Sequence, residues 1–93
     1  MLNIRTDEAG HSGDNQWVNF TATSDGIMIP CAVYDETLQI LSGDATTEPD
    51  ALIAVLHQNQ RVIEEIVTAR WKKQALEEDG YVIVTPEDIR HYA

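Results

Sequence analysis

The sequence predicts an α+β domain: a small antiparallel sheet, a hairpin plus a C-terminal strand, packed on one long helix and a short one. The element order reads (β)ββααβα. Three observations carry this. Two β-rich runs flank Asp25-Gly26, the dipeptide suited to a type I′ hairpin turn. An apolar stripe recurs at spacings of four and three through Leu52, Leu56, Asn59, Ile63, Ile66 and Arg70, with Val55, Val62 and Ala69 beside it. Tyr81-Val82-Ile83-Val84 then forms a short apolar run after Gly80, as a last strand does.

At the start of the chain, Leu2 and Ile4 alternate with Asn3 and Arg5, which predicts a short strand over residues 1–5. Residues 6–15 are rich in Asp, Gly, Ser and Asn and read as a flexible loop. The hairpin follows, and a two-residue turn sets its register by arithmetic. Ser24 pairs with Ile27, Ala22 with Ile29, Phe20 with Cys31 and Val18 with Val33, while Thr23, Thr21, Asn19 and Trp17 pair with Met28, Pro30, Ala32 and Tyr34. A one-residue slip sets polar groups opposite the core, so this register is well specified. Pro30 lacks an N–H to donate and falls at a non-hydrogen-bonded pair, which places the strand 27–34 at a sheet edge.

Asp35 is expected to cap a short helix from Glu36 to Leu41, closed by Gly43, with Leu38 and Leu41 toward the core. Nearly all of the stretch from Thr47 to Gly80 is expected to form one long helix. Thr47 is its cap, Pro49 lies in its first turn, and Gly80 takes the left-handed conformation that ends it. About 31 helical residues span roughly 46 Å. A compact domain of this size has a radius of gyration of only about 12 Å. The helix must therefore kink, overhang, or meet a second subunit. Thr85-Pro86-Glu87-Asp88 repeats the same opening grammar, so a last helical turn is expected from Pro86 to His91.

The 93 residues make one domain, 1–93, in which 43% hydrophobic residues suffice for a core. Sixteen acidic residues against six basic ones give a formal charge of −10, an electrostatic argument against a general nucleic-acid binder. The single cysteine, Cys31, excludes an intramolecular disulfide framework and a multi-cysteine zinc site. No apolar run is long enough to span a bilayer, and the expectation is a cytoplasmic protein without a membrane partner.

Four groups of residues compete as sites. Cys31 and His57 are the obvious nucleophile and base, but Cys31 falls on the core face of its strand, where a free cysteine acts as a small hydrophobe. Asp7, Glu8, His11 and Asp14 could gather a divalent cation, yet they lack the ligand order of a calcium loop and include only one histidine. Asn59, Arg61 and Glu64 could build a cleft on the long helix, although Asn59 and Arg70 also fit as a buried amide and a packed arginine stem. Arg70, Trp71, Lys73 and Leu76 form the basic and aromatic end of that helix, the composition that interface centres favour. No phosphate loop, paired-histidine helix or nucleophile elbow occurs, so no cofactor, metal or catalytic residue is expected.

The pattern Val18-x-Phe20, Asp25-Gly26, Ile29, Cys31 and Leu38, followed by Asn59-x-Arg61-x-Ile63-Glu64, Asp79-Gly80, Val82 and Asp88, resembles a small bacterial family known as domain of unknown function fourteen-eighty-eight. The resemblance covers about residues 16–90. It implies an α+β fold of small cytoplasmic proteins with no established activity, and so transfers no catalytic residue. The expected function is a non-enzymatic protein-interaction module, a homodimer or the partner of a larger protein, bound through Arg70, Trp71, Lys73 and Leu76. The alternatives are a nucleic-acid-associated regulator using the turn Arg70–Lys73 and a small enzyme using Cys31 and His57.

Overall fold

The computed structural model describes residues 2–72 and 80–92. A four-stranded sheet in the order β1-β2-β3-β4 carries its helices on one face. Its strands are β1 (Asn3–Ser12), β2 (Trp17–Ser24), β3 (Ile27–Tyr34) and β4 (Val82–Val84). Between β3 and β4 run α1 (Asp35–Ser42), α2 (Pro49–Gln58) and α3 (Gln60–Lys72), and α4 (Pro86–Tyr92) follows β4. The α+β class and the element order are as the sequence predicts, with the long helix present as two consecutive segments.

All eight expected pairs of the central hairpin are present, from Trp17 with Tyr34 to Ser24 with Ile27. Asp25 and Gly26 both have positive φ, 51° and 83°, as a type I′ turn requires. The inward residues Val18, Phe20, Ala22, Ile29, Cys31 and Val33 are all buried. They meet Leu38 from α1, Leu52, Val55 and Leu56 from α2, and Ile63, Ile66 and Val67 from α3 in one core. Gly43 closes α1 in the left-handed conformation, its N–H donating to Gln39 O at 2.9 Å.

The strand β3 is not an edge. β4 joins its far side in parallel, so the sheet is mixed rather than antiparallel throughout. That pairing reaches only from Cys31 to Val33 and stops one residue short of Pro30. The missing N–H of Pro30 is therefore tolerated not by an open edge strand but by a partner too short to need it.

The flexible loop expected over residues 6–15 is also corrected. Strand β1 continues to Ser12, with an irregularity between Arg5 and Gly10. Residues 6–9 there stand against Phe20 alone on β2, a surplus of three. An odd surplus reverses the faces to which the following side chains point. His11 thereby comes opposite Val18, on the side where the helices lie.

The expected single helix breaks at Asn59, whose backbone (φ −110°, ψ 22°) leaves the helical region. Its side-chain amide donates to Val55 O at 2.9 Å, the acceptor to which its own N–H also donates. An asparagine turned back onto the preceding turn competes with the helical ladder in this way. Among the described residues the long helix is thus interrupted at Asn59, in a molecule that measures 34 × 27 × 24 Å. Glu48, not Thr47, occupies the cap position of α2, and it makes no side-chain capping bond. Residues 73–79, the expected helix end, lie outside the described residues.

The outer edge at the start of β1 is bonded by side chains of α3. Glu64 Oε2 accepts the Ile4 N–H at 3.0 Å, Thr68 Oγ1 accepts the Leu2 N–H at 3.2 Å, and Gln60 Nε2 donates to Ile4 O at 3.2 Å. Side chains that bond an edge strand in this way keep another chain from pairing with it at those residues. Replacing Glu64 by Ala should lower the unfolding free energy by about 1–3 kcal/mol, because a charge-assisted bond to a backbone N–H is lost. Glu64→Gln, which keeps an acceptor oxygen, should lose less; urea denaturation of the two variants measures the difference. Gly26→Ala should cost about 1 kcal/mol for conformational reasons alone, since nothing lies within 4 Å of the added Cβ.

Candidate functional site

Strand β1, the β1–β2 turn and α1 enclose an open cleft of about 620 Å³ at one end of the sheet. His11, Gly13, Gln16, Tyr34, Asp35, Glu36, Gln39, Thr47 and Pro86 line it. Two carboxylates, two amides and an imidazole stand among them, with no lysine or arginine among the described lining residues.

At the centre of the cleft, His11 Nε2 lies 2.8 Å from Asp35 Oδ2, with both side chains less than one-fifth exposed. The register reversal in β1 delivers the histidine, and the first turn of α1 delivers the carboxylate. Asp35 was expected to cap α1, but Tyr34 holds that position and the Asp35 carboxylate turns to the imidazole instead. The other carboxylate oxygen, Oδ1, is buried and has no hydrogen-bond partner. The Asp35 N–H donates to Gln16 O at 2.9 Å. Gln16 reaches that position only with φ 55°, a left-handed conformation that costs a non-glycine residue about 1–2 kcal/mol. Strained backbone of this kind persists where surrounding structure fixes it, often at binding sites.

Of the four residues weighed as a cation cluster, His11 alone lines the cleft; Asp7, Glu8 and Asp14 are exposed. Among the described residues no group of three or more His, Cys, Asp or Glu side chains is placed to hold a metal ion. Cys31 is buried at 0% exposure, and its Sγ donates to Ile29 O at 3.5 Å. Burial pushes its thiol up from 9.0 to about 12, with a backbone bond from Ala22 acting weakly the other way. His57 is committed elsewhere, with Nδ1 2.9 Å from Thr6 Oγ1. The structure does not bring the two together as a nucleophile and its base.

Asn59, Arg61 and Glu64 have separate partners and do not bond one another. Asn59 turns onto Val55, Glu64 onto the backbone of Ile4, and the 93% exposed Arg61 side chain lies 4.0 Å from Glu65. Arg70 donates to Asp88 Oδ1 at 3.0 Å, while Asp88 Oδ2 accepts from both the N–H and the hydroxyl of Thr85. The arginine thus ties α3 to the first turn of α4. Trp71 is half-buried against the core, and Lys73 and Leu76 lie outside the described residues. The cleft itself was hidden in the sequence. Only the proximity of Tyr34, Asp35 and Glu36 to a predicted helix start pointed toward it, and the histidine came from a segment read as loop.

The molecule is therefore a small α+β protein with a wide polar cleft between its first turn and its first helix. Residues 6–84 match the family described as Protein of unknown function (DUF1488), and the chain belongs to that family. A crystal structure of a DUF1488 protein of unknown function from Shewanella loihica PV-4 shares the fold, with a TM-score of 0.80 at 19% identity. The match covers 89% of this chain and 90% of that one. No curated protein matches the sequence. Among the described residues, no helix is long and apolar enough to cross a membrane.

The displaced thiol of Cys31 makes stability depend on alkaline pH. The fold favours the neutral thiol, so that contribution is complete below pH 9.0 and is lost as the pH rises toward about 12. Cys31→Val should remove this component of the alkaline decline, as urea midpoints measured along that range will show. Iodoacetamide should label the native thiol only as fast as the protein opens.

Proposed function

We propose that the protein is a non-enzymatic interaction module that engages a protein partner at the cleft beside α1. The observation that carries this reading is the cleft of about 620 Å³ walled by hydrogen-bonding side chains from several separate elements. A volume of that order falls in the range of pockets that bury a drug-sized ligand, and so has room for several side chains of a partner. The expected alternative, a docking surface at the end of α3, has less to support it. Arg70 is held by Asp88, and Trp71 packs on the protein's own core. The same ion pair weakens the nucleic-acid reading, which needs that guanidinium free in a chain of charge −10. The enzyme reading needs a reactive thiol, whereas Cys31 is fully buried.

Thr47 and Glu36 are both exposed on the rim, so each can be replaced without disturbing the core. A protein partner identified by cross-linking to the wild-type chain should be lost with Thr47→Trp, which fills the mouth, and with Glu36→Lys. It should be retained with Arg61→Glu, on the exposed face of α3. Retention by both rim variants overturns the assignment.

A further inference from the structure

We propose that the sheet face turned away from the helices is a self-association surface, on which a second copy of this chain docks to form a two-fold dimer. This goes beyond the cleft reading and does not depend on it.

The helices pack their apolar side chains into a single core on one face of the sheet, so among the described residues no helix covers the other face. The side chains that β2, β3 and β4 turn to that bare face are all uncharged, although 24% of the chain is Asp, Glu, Lys or Arg. Met28 stands out from it at 66% exposure, Pro30 is also exposed, and Ala32, the next outward residue of β3, is fully buried. At one end the Trp17 ring lies 5.8 Å from that of Tyr34 and 6.0 Å from that of Tyr81, a cluster of three aromatic side chains. Aromatic residues and methionine without charges are the composition of an interface core, not of a solvated surface.

The charge of the chain selects the occupant. A body of net charge −10 that meets its own copy through most of its surface sets carboxylate against carboxylate, which is strongly unfavourable. A foreign partner of complementary charge meets an acidic protein on its acidic surfaces. The uncharged sheet face is where a second copy approaches without that repulsion.

The face is also complementary to itself. Let a two-fold axis cross the strands at the Phe20–Cys31 pair, with the two sheets stacked about 10 Å apart. The exposed Pro30 of each copy then meets the small, recessed Ala32 of the other. Met28 meets Tyr34 of the other copy, a favourable sulfur–aromatic contact. At the margin, Arg5 is level with Thr21, and Glu8 shares a groove with Asn19, one step beyond the axis. The same axis exchanges these two levels, so Arg5 of each copy faces Glu8 of the other. Four strands about 4.8 Å apart, the central two eight residues long, give a face on the order of 500 Å². Two such faces bury about 1,000 Å², the lower limit of biological interfaces, which sets the expected Kd at roughly tens to hundreds of micromolar.

Sedimentation equilibrium of the full chain from about 5 μM to 1 mM, in about 0.15 M salt to screen the net charge, measures the association. A reversible monomer–dimer equilibrium is expected. Met28→Glu and Pro30→Glu each place a charge on the face and should raise Kd at least about tenfold. Both side chains are exposed, so thermal melting of either monomer should match the wild type. Arg61→Glu, on the exposed face of α3, makes the chain still more negative and should leave Kd within about threefold. Arg5→Glu and Glu8→Arg should each weaken self-association, and an equimolar mixture of the two should restore it. Only the mixed pair sets opposite charges across both margins, and repulsion within one chain is not relieved by mixing. A monomer throughout the range, or a dimer unaffected by both Met28→Glu and Pro30→Glu, overturns the proposal. Absence of a heterodimer in the mixture overturns the placement of the two-fold axis.

Discussion

The structure depends on how the outer edge of β1 is satisfied. A four-stranded sheet on so small a chain cannot leave backbone donors facing the helix layer without cost. Glu64, Thr68 and Gln60 meet this need by reaching sideways from α3 to Leu2 and Ile4. Each bond spans more than fifty residues of sequence, so together they fasten the N-terminal strand to the far half of the chain. Gln60, Glu64 and Thr68, which flank the apolar stripe, are therefore committed to the backbone of the first strand. They are the lateral half of the packing, and the stripe is the other half.

That attachment also accounts for the break at Asn59. Leu52, Val55 and Leu56 of α2 cover the hairpin while Glu64 and Thr68 of α3 hold the edge of β1, and the two segments meet at Asn59. There the Asn59 amide bonds its own preceding turn and its backbone leaves helical space. A straight helix would project beyond a body 34 Å in its longest dimension. At the other end of α3, the pair Arg70–Asp88 draws α4 onto the same layer and joins the cap of α4 to it. Arg70, the first residue of the basic turn, is used in closing the fold.

The cleft arises where the regular pairing fails. The three-residue surplus in β1 reverses the faces of that strand and brings His11 to the helix side. The strained Gln16 sets the turn against the start of α1, where Asp35 answers the imidazole instead of capping its own helix. Residues that depart from local preference are thus concentrated at one end of the sheet: a bulged strand, a left-handed glutamine, a helix whose acidic first residue does not cap, and an orphaned carboxylate oxygen. Local rules are commonly set aside at working sites, and nowhere else in the described structure do so many departures meet.

Alternation and turn chemistry alone determined the hairpin with its full register, the buried identities of Val18, Phe20, Ala22, Ile29, Cys31 and Val33, the short helix with its Gly43 stop, and the opening of α4. These features rest on interactions within a few residues, or on a two-residue turn that leaves one register compatible with a buried face. Tertiary structure alone decided the rest. Residues 6–12 form a strand because β2 offers an unpaired edge, not because their own side chains favour one. β4 lies parallel against β3 because three helical segments carry the chain back across the sheet. Asn59 breaks the helix because β1 and the hairpin must be covered together. His11 meets Asp35 across twenty-four residues because a bulge reverses one strand. Each is a contact between distant segments, and a pattern read along the chain holds no record of which distant segment will be there.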